Sequence, residues 1–333
     1  MEQGRKSILI GFDGTGCNLQ DETNVQRLLD AAIKYHPTIY IRGVGDRWGM
    51  KLAGGVNGAE FFKRLREALR WCAMAWEPGD DIYIVGYSRG GALAIAFSNL
   101  LYAVGMGPDF ASNRNPVFDE AFEVFEARPG YRALRQRAFR KKHGLQRPRV
   151  RFLGCFDPVG ALGAGLPQWA ARARYGVFSG RPAPNVENYL SLLALDEHRR
   201  TFSPIMQDRK GTIRMDQVWV PGCHGDIGGG NDRHRPVADY TYKEMSFALL
   251  LAGLSGMPFG RYPIDDSMFI TSSWRRPYSW LGRAIRMPEE PLGFPGEKRS
   301  SLAKWWSDMG RPTWSGTLGL PVFQPAPEKV IQR

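Results

Sequence analysis

The chain has 333 residues, of which 43% are hydrophobic and 23% are charged, so it can bury a large core and has the balance of a folded soluble domain. Its 45 Lys and Arg residues outnumber 33 Asp and Glu residues, and the net charge of +12 favours anionic partners such as phospholipid, nucleic acid or acidic protein. Four widely spaced cysteines without a CxxC pair argue against a zinc site and a disulfide framework, and no nucleic-acid-binding motif accompanies the charge, so a nucleic acid partner is not expected.

Three strand–helix units are predicted in the first hundred residues. Each unit begins with a short apolar run and continues into a segment with apolar residues at helical spacing. The strands are predicted at 7–12, 38–45 and 81–88, and the helices at 24–35, 57–75 and 89–105. This alternation indicates a parallel sheet with right-handed helical crossovers.

The pattern is less regular in the rest of the chain. Residues 110–147 are predicted to be helical with a break at Pro129-Gly130, and residues 158–215 are predicted to be irregular with a helix near 187–198. Two more strands are predicted at 150–157 and 217–222, and a helix at 238–254. We therefore predict one three-layer α/β domain over 1–333 with a mostly parallel sheet. The insertion at 158–215 is a candidate lid or cap. The Trp- and Pro-rich extension at 257–333 is expected to pack onto the domain.

A dense basic run, YRALRQRAFRKKHGLQRPRVR, covers residues 131–151. Two interpretations remain open, because charge alone does not separate them: a solvated helix face, or a contact with anionic lipid or a partner protein. In the candidate lid, Trp169, Tyr175 and Phe178 stand beside basic residues and suit a membrane interface. Several tryptophans after residue 257 also stand beside basic residues, but packing of the C-terminal part onto the sheet is the preferred interpretation for them.

A nucleophile elbow is predicted at Gly86-Tyr87-Ser88-Arg89-Gly90, which matches G-x-S-x-G. The motif alone is weak, but here a β-rich run ends at Ser88 and a helix begins at once. That strand–turn–helix context exposes the serine hydroxyl and directs the N–H groups of the helix start towards it.

A serine nucleophile needs a base and an orienting acid. In α/β hydrolases, which carry such an elbow, the three residues occur along the chain in the order serine, acid, histidine. His224 follows a predicted strand and is the candidate base, with His234 as the second choice. The remaining histidines, His36, His143 and His198, lie before a strand or in predicted helices. The candidate acid is Asp157, at the end of the strand VRFLGCFD.

Two other acids stay open as alternatives to Asp157. Asp226 lies two residues after His224 and could instead cap or support the following turn, and Asp196 is a more distant third. The oxyanion hole is predicted from backbone N–H groups of Gly14, Thr15 and Arg89, with Asp13 either orienting the DGTG loop or only ending its strand. No cofactor and no metal are expected, although calcium near the glycine run after Asp226 is left open.

Seven motifs occur in an order that resembles a known family. They are FDGTGCN, TNVQRLL, YIRGVG, GYSRGGALA, GCFDPVGALG, LALDEHRRTFSP and VWVPGCHGDIGGG, and they cover about residues 7–255. The set resembles the bacterial and fungal α/β-hydrolase family that includes the type VI secretion lipase effectors of family one, which are similar to phospholipases. The resemblance implies a Ser88–Asp157–His224 triad and cleavage of membrane lipid esters. Two departures leave the substrate open: Gly16-Cys17 where the family commonly has Trp, and Gly225 where it has Ser before the aspartate.

The resemblance and the chain together predict a serine hydrolase that cleaves carboxylic esters through an acyl-enzyme. The expected partners are a lipid or other ester substrate, an anionic membrane surface, and a partner or immunity protein. The alternatives are an esterase or acyl hydrolase of a non-lipid substrate, or a catalytically idle binding module. Because the apolar run ILIGF is too short for a signal peptide and no run of about 18 apolar residues occurs, the chain is expected in the cytoplasm as synthesised, with delivery elsewhere by a secretion system.

Overall fold

The computed structural model describes residues 5–45, 58–111, 115–127, 129–160, 181–199, 202–207, 213–230, 235–258 and 297–299. These residues contain a seven-stranded sheet in the order β2-β1-β3-β4-β5-β6-β7, in which every neighbouring pair is parallel. The strands are β1 (Ser7–Phe12), β2 (Thr38–Ile41), β3 (Asp81–Tyr87), β4 (Arg149–Phe156), β5 (Val186–Ala194), β6 (Arg214–Val220) and β7 (Glu297–Arg299). The sheet predicted as mostly parallel is therefore entirely parallel across the described strands.

The helices fall between the strands, as a parallel sheet requires. They are α1 (Asn24–Ala32), α2 (Gly58–Ala75), α3 (Arg89–Val104), α4 (Pro116–Glu126), α5 (Pro129–Lys142), α6 (His224–Gly228) and α7 (Arg235–Leu251), with a 3-10 turn at Pro108–Ala111. The predicted break at Pro129-Gly130 is confirmed as the start of α5. None of the helices in the described part of the chain is both long and apolar enough to cross a bilayer.

Two hydrophobic clusters cover the two faces of the sheet. Strand side chains alternate between the faces, so Ile8 and Ile10 of β1 pack with α2 to α5, whereas Leu9 packs with α1 and α7. Strand β3 is buried along its whole length. Helices on both faces explain why these strands read as continuous apolar runs.

The strand order creates a crevice at the carboxyl edge of the sheet. The chain leaves β1 through α1 to the edge strand β2, and then returns through α2 to β3 on the opposite side of β1. The loops after β1 and β3 therefore diverge to opposite faces at the carboxyl edge of the sheet. Ligand sites of open parallel sheets form at this switch point.

The segment 158–215 differs from its prediction. Residues 186–194 form β5, which pairs with β4 and β6, so the helix predicted near 187–198 is wrong and His198 lies in the loop after a strand. The apolar residues YLSLLA suited a buried helix and a buried strand equally, and two neighbouring strands decide between them. The residues proposed as a lid, Trp169, Tyr175 and Phe178, lie outside the described part of the chain, as do residues 46–57.

Beyond residue 258, the C-terminal extension is described only at Glu297–Arg299, which adds the edge strand β7 beside β6. The tryptophans singled out after residue 257 lie outside the described residues. The packing predicted for the rest of 257–333 therefore stays a prediction.

Candidate active site

Ser88 stands between β3 and α3 in a sharp turn. Its backbone has φ 58° and ψ −127°, a conformation that L-residues rarely adopt, and the residue is 5% exposed. A Cβ on Gly86 would approach the carbonyl oxygen of Gly90 to 2.5 Å, and one on Gly90 would collide with the carbonyl of Phe12. Glycine is thus required on both sides of Ser88, because strand and helix backbones nearly touch.

A continuous hydrogen-bonded chain joins the three residues that the sequence predicts as a triad. His224 Nε2 lies 2.8 Å from Ser88 Oγ, and His224 Nδ1 lies 2.6 Å from Asp157 Oδ2. An ionised carboxylate can only accept, so Nδ1 carries the ring proton and Nε2 is free to accept the proton of Ser88. All three side chains are buried. The arrangement can activate the serine hydroxyl as a nucleophile.

Asp157 is held by the neighbouring strand. It follows β4 with φ 41°, its N–H donates to the carbonyl of Leu192, and its Oδ1 accepts the N–H of Ala194 at 3.0 Å. With Oδ1 occupied by a backbone donor of β5, Oδ2 faces His224. The strand missed by the sequence therefore orients the carboxylate.

The imidazole of His224 is enclosed by two aromatic rings. Tyr87 stacks against one side with ring centroids 4.9 Å apart, and Phe202 meets the ring edge-on at 4.8 Å. Tyr87 also donates through its hydroxyl to the carbonyl of His224. Burial lowers the pKa of His224 below its usual value of 6.5, and the Asp157 carboxylate partly opposes that shift. The ring is therefore kept neutral and ready to accept a proton near neutral pH.

The two alternative acids are occupied elsewhere. Asp226 accepts the N–H of Cys223 at 2.8 Å in a capping box at the start of α6, and Asp196 accepts the N–H of Gly222 at 2.8 Å. Neither side chain is the hydrogen-bond partner of His224 Nδ1. Both instead fix the loop between β6 and α6, which directly precedes the histidine.

The loop after β1 lies against the serine and is organised by Asp13. This buried carboxylate accepts the hydroxyls of Thr23 and Tyr40, each at 2.7 Å, and the N–H of Gly14 at 2.7 Å. Burial raises the pKa of Asp13 to about 6, because desolvation outweighs the three hydrogen bonds. A Cβ on Gly14 would lie 3.3 Å from the Cβ of Ser88, so the loop contacts the turn directly.

Two of the three predicted oxyanion donors are available. The N–H of Gly14 already donates to its neighbouring carboxylate, so this geometry does not support the prediction for Gly14. Within the described ranges, the N–H groups of Thr15 and Arg89 have no hydrogen-bond acceptor. The Arg89 N–H is at the first position of α3, where no carbonyl of the helix can reach it.

A group that the sequence did not predict as functional lies in the loop after β5. Glu197 Oε2 accepts the N–H of His224 at 3.3 Å and pairs with Arg199 at 2.7 Å. The Arg199 guanidinium lies 3.6 Å above the Phe202 ring, which in turn touches the imidazole. The sequence feature that could have indicated these residues is the motif LALDEHRRTFSP, whose first half was predicted to be helical.

Two of the remaining histidines, His36 and His143, have hydrogen-bond partners away from this site. His36 Nε2 hydrogen-bonds the carbonyl oxygen of Ser255, and His143 Nε2 lies 3.0 Å from Glu120 Oε2. His198 is buried beside Glu197 in the chain, and His234 lies outside the described residues. No cluster of three or more His, Cys, Asp or Glu side chains suited to a metal ion is found in the part of the chain that the structure describes.

Comparisons with known proteins agree with this architecture. A family model described as type VI secretion system, phospholipase effector Tle1-like, catalytic domain matches residues 6–248. No curated protein matches the chain.

Several solved structures are similar at low identity. An uncharacterized protein from Pseudomonas aeruginosa is 18% identical with a TM-score of 0.44, over 77% of this chain and 47% of that one. A Tle1 effector bound to the VgrG spike of a type 6 secretion system is 20% identical with a TM-score of 0.39, over 68% and 52%. A carboxylesterase from Lactobacillus plantarum is 15% identical with a TM-score of 0.43, over 75% and 87%. The chain thus spans about half the length of the first two.

Proposed function

We propose that this chain, which belongs to the family of Tle1-like phospholipase effector catalytic domains of type VI secretion systems, is a serine hydrolase that cleaves carboxylic ester bonds of membrane glycerophospholipids through an acyl-enzyme. The observation that carries the proposal is the chain of hydrogen bonds from Ser88 Oγ through His224 to Asp157, at 2.8 and 2.6 Å. A binding module has no need for such a buried, strained serine beside a neutral imidazole.

The reaction follows from the direction of those hydrogen bonds. Ser88 Oγ attacks the ester carbonyl carbon while its proton passes to His224 Nε2, and Asp157 stabilises the imidazolium. The N–H groups of Thr15 and Arg89 hold the negative oxygen of the tetrahedral intermediate. The intermediate collapses to the acyl-serine as Nε2 returns its proton to the leaving alkoxide. A water then repeats the sequence on the acyl-serine, which releases the fatty acid and restores Ser88.

The lipid nature of the substrate is supported by the family and by charge. On α5, the exposed side chains of Arg135, Arg137 and Lys141 stand beside exposed Tyr131 and Leu134. Cationic and apolar groups on one helix suit the headgroup region of an anionic membrane. Together with family membership, this is the basis on which we propose that the basic run contacts lipid.

Delivery out of the producing cell is part of the proposal. The similar Tle1 effector is described bound to a VgrG spike, and family membership suggests the same route for this chain. The expected partners are thus a spike protein and, in the producing cell, a protein that blocks the active site. Co-purification of the chain with its spike would test this step separately from catalysis.

Vesicles of phosphatidylglycerol and phosphatidylethanolamine, a neutral triglyceride emulsion and a soluble nitrophenyl ester together test the activity. We expect fatty acid release from the vesicles, and no release by Ser88→Ala at equal protein concentration. Asn99→Ala, which removes an amide on α3 away from the turn, is a matched control that should keep the activity. Cleavage of the soluble ester without any phospholipid cleavage would keep the mechanism and reject the lipid substrate. No hydrolysis of any ester would reject both.

A further inference from the structure

The side chain of Arg89 is a charged group beside the nucleophile that the mechanism above does not use, since only its backbone N–H takes part. Its Nη1 donates to Thr15 Oγ1 at 2.9 Å, which places the guanidinium between the turn at Ser88 and the loop after β1. No carboxylate of the described residues lies within ion-pair distance of it. Arg89 is nevertheless only partly exposed.

The second arginine of the site, Arg199, differs from Arg89 in having a carboxylate partner. Arg199 is similarly shielded, with its side chain 16% exposed, but Glu197 provides a carboxylate at 2.7 Å. Burial lowers the pKa of Arg89, and the nearby positive charge of Arg199 lowers it further. A partly desolvated cation that has no counter-charge among the described residues is unfavourable in the folded chain. The start of α3 adds further positive potential at the same point.

We propose that the Arg89 guanidinium is the recognition group for a phosphate carried by the substrate next to its scissile ester. This inference rests on the proposed function and deepens it, because it names the residue that distinguishes a phospholipid from a neutral acylglycerol. A guanidinium has five N–H donors in a planar fork, and one of them holds Thr15. The others match the geometry of phosphate oxygens, and a bound phosphate supplies the counter-charge that none of the described residues provides.

A competing role for Arg89 is to brace Thr15, whose N–H is proposed to hold the oxyanion. The two roles differ in what they discriminate. Bracing affects every ester equally, since every ester passes through the same oxyanion. Phosphate recognition affects only substrates that carry the phosphate.

The test compares two short-chain esters with identical acyl groups, dihexanoyl phosphatidic acid and dihexanoylglycerol, both below the concentration at which they aggregate. The measured quantity is the ratio of their kcat/KM values in one enzyme preparation, which does not depend on the fraction of folded enzyme. We expect Arg89→Gln to lower this ratio at least about tenfold, and Arg89→Lys to lower it much less because the charge remains.

Two controls bracket the result. Thr15→Val removes the hydroxyl that accepts from Arg89 but keeps the guanidinium, so it should lower both kcat/KM values and lower their ratio much less than Arg89→Gln does. Arg70→Gln removes one positive charge from the exposed surface of α2 and should leave the ratio unchanged. Inorganic phosphate, as a free anion, should inhibit dihexanoylglycerol cleavage by the wild type and require at least about tenfold higher concentration with Arg89→Gln.

The proposal is overturned if Arg89→Gln lowers both rates in parallel, or if free phosphate inhibits while the substrate ratio is unchanged. Failure of the proposed function has a different signature. In that case the wild type cleaves neither ester, and the ratio cannot be measured.

Discussion

Exchange of Asp157 for Asn tests the role of the acid by replacing a single heavy atom, one carboxylate oxygen, with an amide nitrogen. In the wild type, Oδ1 accepts the N–H of Ala194 at 3.0 Å and Oδ2 accepts His224 Nδ1 at 2.6 Å. The backbone N–H can only donate, so the single oxygen of Asn must stay with Ala194, and its NH₂ group must face the histidine. His224 Nδ1 then has to accept, and the ring proton moves to Nε2.

The magnitude follows from that tautomer. With its proton on Nε2, His224 cannot take the proton of Ser88, and the same exchange in a serine protease triad lowers kcat about 10⁴-fold. This corresponds to about 5.4 kcal/mol of transition-state stabilisation. The side chain keeps its volume and its bond to Ala194, so the thermal midpoint should change by only a few degrees.

Hydrolysis of a soluble nitrophenyl ester, at a pH well above the pKa of His224, measures the effect. Asp226→Asn is the matched control, since that side chain caps Cys223 and its amide oxygen can still accept the same N–H. We expect the control to keep kcat within about tenfold of the wild type. A large loss in Asp226→Asn with a small loss in Asp157→Asn would refute the assignment of the acid.

Three further predictions concern packing and protonation. Gly228→Ala should lower stability by about 1–3 kcal/mol and reduce kcat, because its new Cβ collides with the Tyr87 ring that stacks on the histidine, whereas Gly130→Ala meets no atom and should be neutral or slightly stabilising in urea unfolding. The acidic limb of the kcat/KM profile should fall below pH 6.5, since burial lowers the pKa of His224, and a limb at higher pH would contradict the neutral-base account. Asp13 keeps its proton in the folded chain up to about pH 6, whereas in the unfolded chain it loses the proton near pH 3.8. The free energy of unfolding should therefore fall by up to about 3 kcal/mol as the pH rises from 3.8 to 6. The Asp13→Asn variant should lack this fall, and an equal fall in that variant would show that other groups cause it.

The elbow could be predicted from the sequence because local rules determine it. A buried β-rich run, a serine between two glycines and an apolar helix occupy consecutive positions, so no long-range contact is needed to recognise them. The same reasoning put Asp157 and His224 at strand ends, and parallel strands bring such ends to one edge of a sheet. The family resemblance, carried by seven ordered motifs, is confirmed by the match over residues 6–248.

The strand β5 could not be predicted in this way. Its sequence, VENYLSLLA, followed by LDEHRR, has helix-forming residues and no strict alternation, and its strand state depends on pairing with β4 and β6. Because β5 was missed, the backbone donor that orients Asp157 was missed as well. The contacts of Glu197 and Phe202 with His224 join positions more than twenty residues apart, which spacing does not reveal.

The individual hydrogen bonds of the loop after β1 could not be predicted from the sequence either. The glycines of DGTG indicated an open backbone, and that is where the loop contacts Ser88. Which N–H remains available depends on the rotamer of Asp13, which turns its carboxylate onto Gly14 and leaves Thr15 open. A side-chain rotamer of this kind follows from Thr23 and Tyr40, which the chain brings in from other elements.

Reaction with a fluorophosphonate, followed by peptide mass spectrometry, tests directly whether Ser88 is an activated nucleophile. Such a probe reacts only with a serine that a neighbouring base has activated, and it leaves a stable phosphonyl ester on that oxygen. We predict one phosphonyl group per chain on the peptide that contains Ser88, no labelling of Ser88→Ala, and strongly slowed labelling when His224 is replaced by Ala. An unlabelled wild type, or undiminished labelling of Ser88→Ala, would contradict it.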